Sequence, residues 1–259
     1  MKVNKIYCED CLDTMGRMPD GYIDLTVTSP PYDGLRDYKG YSFDFESIDK
    51  ELFRVTKQGG VVVWVVGDAT VDGSKTGTSF KQALYFKEIG FNLHDTMIYQ
   101  KEPRYPDNVR YWNAIEYMFI LSKGTPKSFN QIKDIKININ NLGKKVTYKN
   151  RGKNGVLKEN KVITSNPFKS RNNVWLYSSD SLQEEINHPA VFPVKLVKDH
   201  IYSWSNEGDL VYDPFMGSGT TAKGAHHLKR NWIGSEISQE YVDIANKRID
   251  PYLRQTTLL

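Results

Sequence analysis

Val211-Tyr212-Asp213-Pro214-Phe215-Met216-Gly217-Ser218-Gly219-Thr220-Thr221 reads as the end of a strand, a glycine turn and the start of a helix. The strand is Asp209-Leu210-Val211-Tyr212-Asp213, short and apolar enough to be buried. Gly217 and Gly219 permit positive φ and a close approach to the backbone. A helix then runs from Thr220 to Leu228. Gly-x-Gly alone is weak evidence, because dinucleotide folds use it with a third glycine; position 222 here is Ala. The next strand, Trp232-Ile233-Gly234-Ser235-Glu236, ends on a carboxylate that can accept from both hydroxyls of a ribose. A strand-end cap at Asp213 and a surface acid at Glu236 are the plainer readings.

Working outward, strand and helix patterns alternate. Asp24 to Thr28 is a strand stopped by Pro30-Pro31. Phe45 to Val55 carries apolar residues at helical spacing, and Ser79 to Ile89 does so with Gly90 as its C-cap. Val61 to Val66 is continuously apolar, which suits a strand buried on both faces. Phe91 to Tyr99 and Glu116 to Ser122 are further strands. Pro193 to Ser203 and Gln239 to Ile249 are helices. This alternation predicts an α/β fold built on a parallel sheet.

The chain of 259 residues holds one large domain, or one domain with an insertion. Its two cysteines, Cys8 and Cys11, cannot make a disulfide framework, which points to a reducing compartment. Half a zinc site and a redox pair are weighed against packing thiols; without Cys/His ligand spacing elsewhere, packing thiols are expected and no metal. No apolar run reaches the roughly 18 residues of a membrane span. The N-terminus lacks the apolar stretch of a signal peptide, so the cytoplasm is the expected location. A net charge of +4 hides a one-signed segment. From Gly124 to Arg171 lysines and arginines recur, Lys144, Lys145, Lys149, Arg151 and Lys153 among them, against only Asp134 and Glu159. That suits a segment tracking a nucleic-acid backbone better than a solvated insertion.

Thr28-Ser29-Pro30-Pro31-Tyr32 carries a second chemistry. The lone pair of an exocyclic amine on a base is delocalised into the ring. Acceptors on both N–H groups rotate the amine and localise that pair. Ser29 offers a hydroxyl oxygen, and Pro30 a carbonyl with no N–H of its own. Consecutive prolines hold both in one geometry. Tyr32 offers an aromatic face to a base taken out of its stack. Polyproline linkers share the Pro-Pro step, but they do not follow a buried strand.

With the amine turn preceding the glycine turn, the chain resembles an amino-group DNA methyltransferase of the permuted β class, the N4-cytosine/N6-adenine type. The resemblance implies a Rossmann-like S-adenosylmethionine-dependent fold on a mostly parallel seven-stranded sheet. It implies a catalytic half at 1–123, a cofactor half at 187–259 and a basic target-recognition insertion at about 124–172. Ser29, Pro30, Pro31 and Tyr32 would be catalytic. S-adenosyl-L-methionine would be held by Asp213, Phe215, Gly217, Gly219, Thr220 and Glu236. Asp10, in Ile6-Tyr7-Cys8-Glu9-Asp10-Cys11-Leu12, would accept from its adenine amine. His188, Pro189, Ala190 and Phe192 would touch its methionine part.

The partner implied is double-stranded DNA. Arg36 and Lys39, in a loop that is either a lid or plain surface, would meet phosphates. Arg104, Arg110 and Trp112 would line the cleft, and the basic segment would follow the backbone. Asp68 is read either as near the active site or as a helix cap. Carbon-5 methylation would need a cysteine after proline, and neither Cys8 nor Cys11 follows one. Asp at the position of Ser29 is typical of adenine-N6 enzymes, so Ser29 favours cytosine N4, with adenine N6 the alternative. A DNA-binding protein without catalysis is the reading from another class. Many relatives of this class are homodimers, although nothing in this sequence shows an interface.

Overall fold

The computed structural model describes residues 1–31, 43–101, 108–136, 145–151, 157–164, 167–177 and 193–255. These residues fall into two compact units, 1–130 with 173–259 and 131–172.

The first unit opens with β1 (Lys5–Tyr7), α1 (Cys11–Gly16), β2 (Ile23–Thr28), α2 (Phe45–Val55) and β3 (Thr56–Val66). A small hairpin follows, β4 (Thr70–Val71) and β5 (Ser74–Lys75), then α3 (Thr78–Glu88), β6 (Asn92–Gln100) and β7 (Ile115–Ser122). The second unit contains β8 (Lys133–Lys136), β9 (Lys145–Arg151), β10 (Leu157–Thr164) and β11 (Phe168–Ser170). The chain returns to the first unit with β12 (Val174–Leu176), α4 (Val194–Trp204), β13 (Leu210–Asp213), α5 (Thr220–His227), β14 (Asn231–Ser235) and α6 (Gln239–Gln255).

The main sheet runs β1-β14-β13-β2-β3-β7-β6-β12. It has eight described strands, one more than the seven the resemblance implies, because short β12 adds to the edge of β6 in parallel. It is mostly parallel, but β7 pairs antiparallel with both β3 and β6. β7 follows β6 directly in the chain and runs back along it, while β3 leads through α3 to β6, so apolar strand patterns alone do not reveal the direction of β7.

Helices cover both faces. α1 packs on α2 and α2 on α3, while α5 packs on α4 and α6. Val62, Trp64 and Val66 join Met15, Leu52 and Phe86 in one core. Val61, Val63 and Val65, pointing the other way along β3, are equally buried. One residue in the helical layer is out of character. Asp49 of α2 is fully buried with neither carboxylate oxygen hydrogen-bonded, and burial pushes its carboxyl up to about 10.

β2 leads through α2 to β3 on one side, and β13 leads through α5 to β14 on the other. Adjacent strands that leave in opposite directions open a crevice at their carboxyl ends, the usual ligand site of such sheets. β2 and β13 are also laced at both ends. At the amino end Asp24 Oδ2 accepts from the Leu210 N–H at 2.9 Å; at the carboxyl end Thr28 Oγ1 donates to Asp213 Oδ1 at 2.7 Å. Asp24 also accepts from Lys57 Nζ at 2.8 Å and from Lys127.

Lys127 shows where the basic composition and the second unit part company. Residues 124–130 belong to the first unit, and the second begins at Gln131. Taken by itself, that second unit is two antiparallel pairs, β8 with β11 and β9 with β10, each with a register shift. Arg171 Nε donates to both Asp134 oxygens at 2.9 Å within it. Among the described residues no helix is long and apolar enough to cross a membrane.

Candidate active site

Five parallel strands, β1, β14, β13, β2 and β3, end along one edge of the sheet. Asp10, Glu236, Asp213 with Phe215, Ser29 with Pro30, and Asp68 follow the ends of those strands in that spatial order. The two motifs distant in sequence thus leave neighbouring strands.

Asp213 organises the junction. It is 4% exposed. Oδ1 accepts from Thr28 Oγ1 at 2.7 Å and from the Phe215 N–H at 3.0 Å, and Oδ2 accepts from Thr221 Oγ1 at 2.6 Å. Burial pushes its carboxyl up to about 6, against the pull of these three donors. Thr28 and Thr221 escaped separate notice in the sequence. What singles them out is the full burial of a hydroxyl, which only the folded structure shows.

Glu236 is buried rather than a surface acid. Its Oε2 accepts from the Gly217 N–H and its Oε1 from the Ser238 N–H, both at 2.9 Å. Burial raises its pKa, and the backbone N–H groups of Ser238, Gly217 and Ile237 work against that rise. The Glu236 N–H itself donates to the Tyr7 carbonyl at 3.0 Å, which ties this strand end to β1. Asp10, three residues beyond β1, is exposed and caps α1 by accepting from the Leu12 N–H at 2.7 Å.

The two glycines of the turn differ in kind. Gly217 has φ +51°, and a Cβ there would meet only the Phe215 carbonyl at 3.9 Å, so this backbone faces open space. Gly219 has φ +84° as N-cap of α5, and a Cβ there would meet Ala245 Cβ at 2.9 Å and Ile249 Cδ1 at 3.0 Å. Its missing side chain lets α5 start against α6. Thr220, the first residue of α5, is buried. Phe215 is half-buried, edge-on to Phe43 and Trp64 at centroid distances of 5.7 and 6.4 Å. A buried carboxylate, an open stretch of backbone and an aromatic wall together fit a ribose-bearing cofactor.

On the amine side Ser29 and Pro31 are half-buried and Pro30 is buried. A narrow crevice beside Pro31 is lined by Val66, Gly67, Ala69, Thr76, Thr78 and Gln82. Asp68 caps the start of α3, accepting from the Ser79 N–H and hydroxyl at 2.8 Å each, so the cap reading of this residue holds.

Arg110 donates to the Gly73 carbonyl at 3.2 Å, and Trp112 is 51% exposed beside it. Lys145, Lys149 and Arg151 lie on β9 of the second unit. Cys11 is buried, and burial pushes its thiol up; Cys8 is exposed. Trp175 is a core residue, its ring 4.6 Å from that of buried His200. Tyr32, Arg36, Lys39, Arg104, Lys144, Lys153, His188, Pro189, Ala190 and Phe192 lie outside the described residues.

The DNA methylase family model (N6_N4_Mtase) matches residues 23–247, from the start of β2 into α6. The chain is 55% identical over 241 residues to the orphan methyltransferase M.BamHII of Bacillus amyloliquefaciens, covering 90% of this chain and 91% of that protein. It is 29% identical over 254 residues to the type II methyltransferase M.BglII of Bacillus subtilis, covering 94% and 68%. Among solved structures, PvuII DNA methyltransferase (cytosine-N4-specific) shares the fold with a TM-score of 0.66 at 22% identity, over 96% of this chain and 91% of that one.

Proposed function

The chain belongs to this family of amino-group DNA methylases, and we propose that it transfers a methyl group from S-adenosyl-L-methionine to the N4 amine of a cytosine flipped out of duplex DNA, at a specific sequence. The observation that carries the proposal is the Thr28–Asp213 hydrogen bond at 2.7 Å, which joins the amine turn to the glycine turn across adjacent strand ends. Bound S-adenosyl-L-methionine supplies an electrophilic methyl group on a sulfonium. Glu236 accepts from its ribose hydroxyls, Gly217 leaves its backbone open to it, and Phe215 walls the apolar side. Asp10 takes the adenine amine, and the segment of His188, Pro189, Ala190 and Phe192 takes the methionine part.

The acceptor side is built from the rigid turn. Ser29 Oγ and the Pro30 carbonyl accept from the two N–H groups of the target amine, which localises its lone pair. Tyr32 stacks on the flipped ring. With the cofactor bound, the amine nitrogen would take the methyl group in a single displacement as the S–CH3 bond breaks and the neutral thioether leaves, and would shed one proton to solvent during or after transfer, with no covalent intermediate on the protein. The basic second unit tracks the DNA backbone. Relatives named type II methyltransferases support a restriction–modification setting.

Ser29 selects cytosine over adenine in this proposal. The test is methylation of plasmid DNA with labelled cofactor, followed by mass spectrometry of the nucleosides. N4-methyldeoxycytidine is the expected product. N6-methyldeoxyadenosine alone would reverse the choice of base, and no methyl in the DNA would favour a binding protein without catalysis.

A further inference from the structure

We propose that Gln82 recognises the ring nitrogen beside the target amine, through a side-chain amide whose orientation Trp64 fixes. The inference rests on the methyl-transfer reading above.

Gln82 lies in α3 and is 3% exposed, next to Ala83 and one turn from Phe86, both buried. Its Oε1 accepts from Trp64 Nε1 at 2.9 Å. An indole N–H only donates, so it must meet the amide oxygen, and the amide NH2 is turned away from it. An amide that could otherwise flip is thereby locked. Gln82 also lines the crevice that contains Pro31, and that crevice offers the NH2 a place to point. Trp64 pairs in register with Thr28, the residue before Ser29, and its ring lies 6.4 Å from Phe215. The dyad therefore stands beside the amine turn, with the indole within reach of Phe215 of the glycine turn.

Satisfying a buried indole is too little to explain the glutamine. Trp204 and Trp232 are buried with their Nε1 atoms unpartnered. Burying an amide is unfavourable unless its groups find partners.

The chemistry of the bases gives the NH2 a task. Cytosine and adenine both carry a bare ring nitrogen, an acceptor, next to the carbon that bears the amine. Thymine and guanine carry an N–H at the equivalent position. A locked donor accepts the first pair and opposes the second. The crevice is narrow and open on the side of Pro31, so only the edge of the base that bears the ring nitrogen has to approach Gln82. Gln82 would hold that edge while Ser29 and Pro30 take the amine.

The test is Gln82→Glu, assayed for methyl transfer to plasmid DNA across pH. Either carboxyl oxygen can accept from Trp64, but only the protonated acid can donate to a ring nitrogen. At about pH 9 the carboxylate cannot donate, so kcat/KM for DNA should fall about 10-fold or more from wild type, with KM for S-adenosyl-L-methionine unchanged. Wild-type kcat/KM for DNA at about pH 9 in a folded variant would overturn the inference. If Gln82→Glu does not fold, the double variant Gln82→Met with Trp64→Phe replaces the dyad by an apolar pair. It should keep cofactor affinity and lose about 10-fold or more in kcat/KM for DNA; wild-type kcat/KM would overturn the inference. A wild-type protein that methylates no DNA at any pH would sink the methyl-transfer reading itself, and this inference with it.

Discussion

Asp213 is held by three protein donors and still titrates near pH 6, which burial causes. Its carboxyl in the unfolded chain titrates near pH 4. The folded state thus binds the proton more tightly. The stability this confers is fully present below about pH 4 and lost as pH rises through about 6, an effect of about 3 kcal/mol. Asp213→Asn cannot ionise. The unfolding free energy of wild type minus that of the variant should fall by about 3 kcal/mol between about pH 4 and about pH 6 and then level off. Urea titrations over that range check it, and a difference constant with pH would contradict it. At this scale the sequence named the right carboxylates but not their partners. Asp213 and Glu236 stood out as acids at strand ends. That Thr28 and Thr221 would grip the first, and the Gly217 and Ser238 N–H groups the second, depends on contacts up to 185 residues apart in the chain.

Elements with strong periodicity were legible. α2 spans the expected Phe45–Val55, and the apolar run from Val61 to Val66 lies inside β3, buried on both faces. Short elements were not: β1 has three residues and α1 six, too few for a pattern to register. The direction of β7 and the strand pairs of the basic segment also escaped the reading, because pairing partners are set by tertiary contacts. α2 carries its own test. Asp49 has a folded-state pKa of about 10, so the folded protein holds an extra proton over the whole range from about pH 4 upward. Stability from this group is therefore lost steadily as pH rises towards 10. Asp49→Asn removes the dependence while keeping the volume. Its Tm relative to wild type should increase from about pH 5 to about pH 9. Calorimetry reads the difference, and a relative Tm that stays flat or falls would contradict the assignment.

At the scale of the first unit, β2 and β13 bring the two halves of the chemistry together. The order of the motifs in sequence announced that the chain must fold back, and the sheet order shows how. Asp24 fastens the amino ends of these strands and Thr28 with Asp213 the carboxyl ends. Asp24 is buried; burial opposes its ionisation, but the Leu210 N–H, Lys127 and Lys57 together hold its pKa below the usual carboxylate range. Asp24→Ala strips the acceptor from two ammonium groups and one N–H, and should cost about 3 kcal/mol of unfolding free energy. A loss within about 0.5 kcal/mol, the size of a plain surface change, would mean the lacing contributes nothing. The division of labour between the two turns is tested most directly by Tyr32→Ala, comparing its turnover with its affinity for S-adenosyl-L-methionine. Turnover on plasmid DNA should fall by about 100-fold while the cofactor dissociation constant stays within about 3-fold of wild type. A dissociation constant that rises as steeply as turnover falls would contradict the assignment of the amine to one turn and the methyl donor to the other.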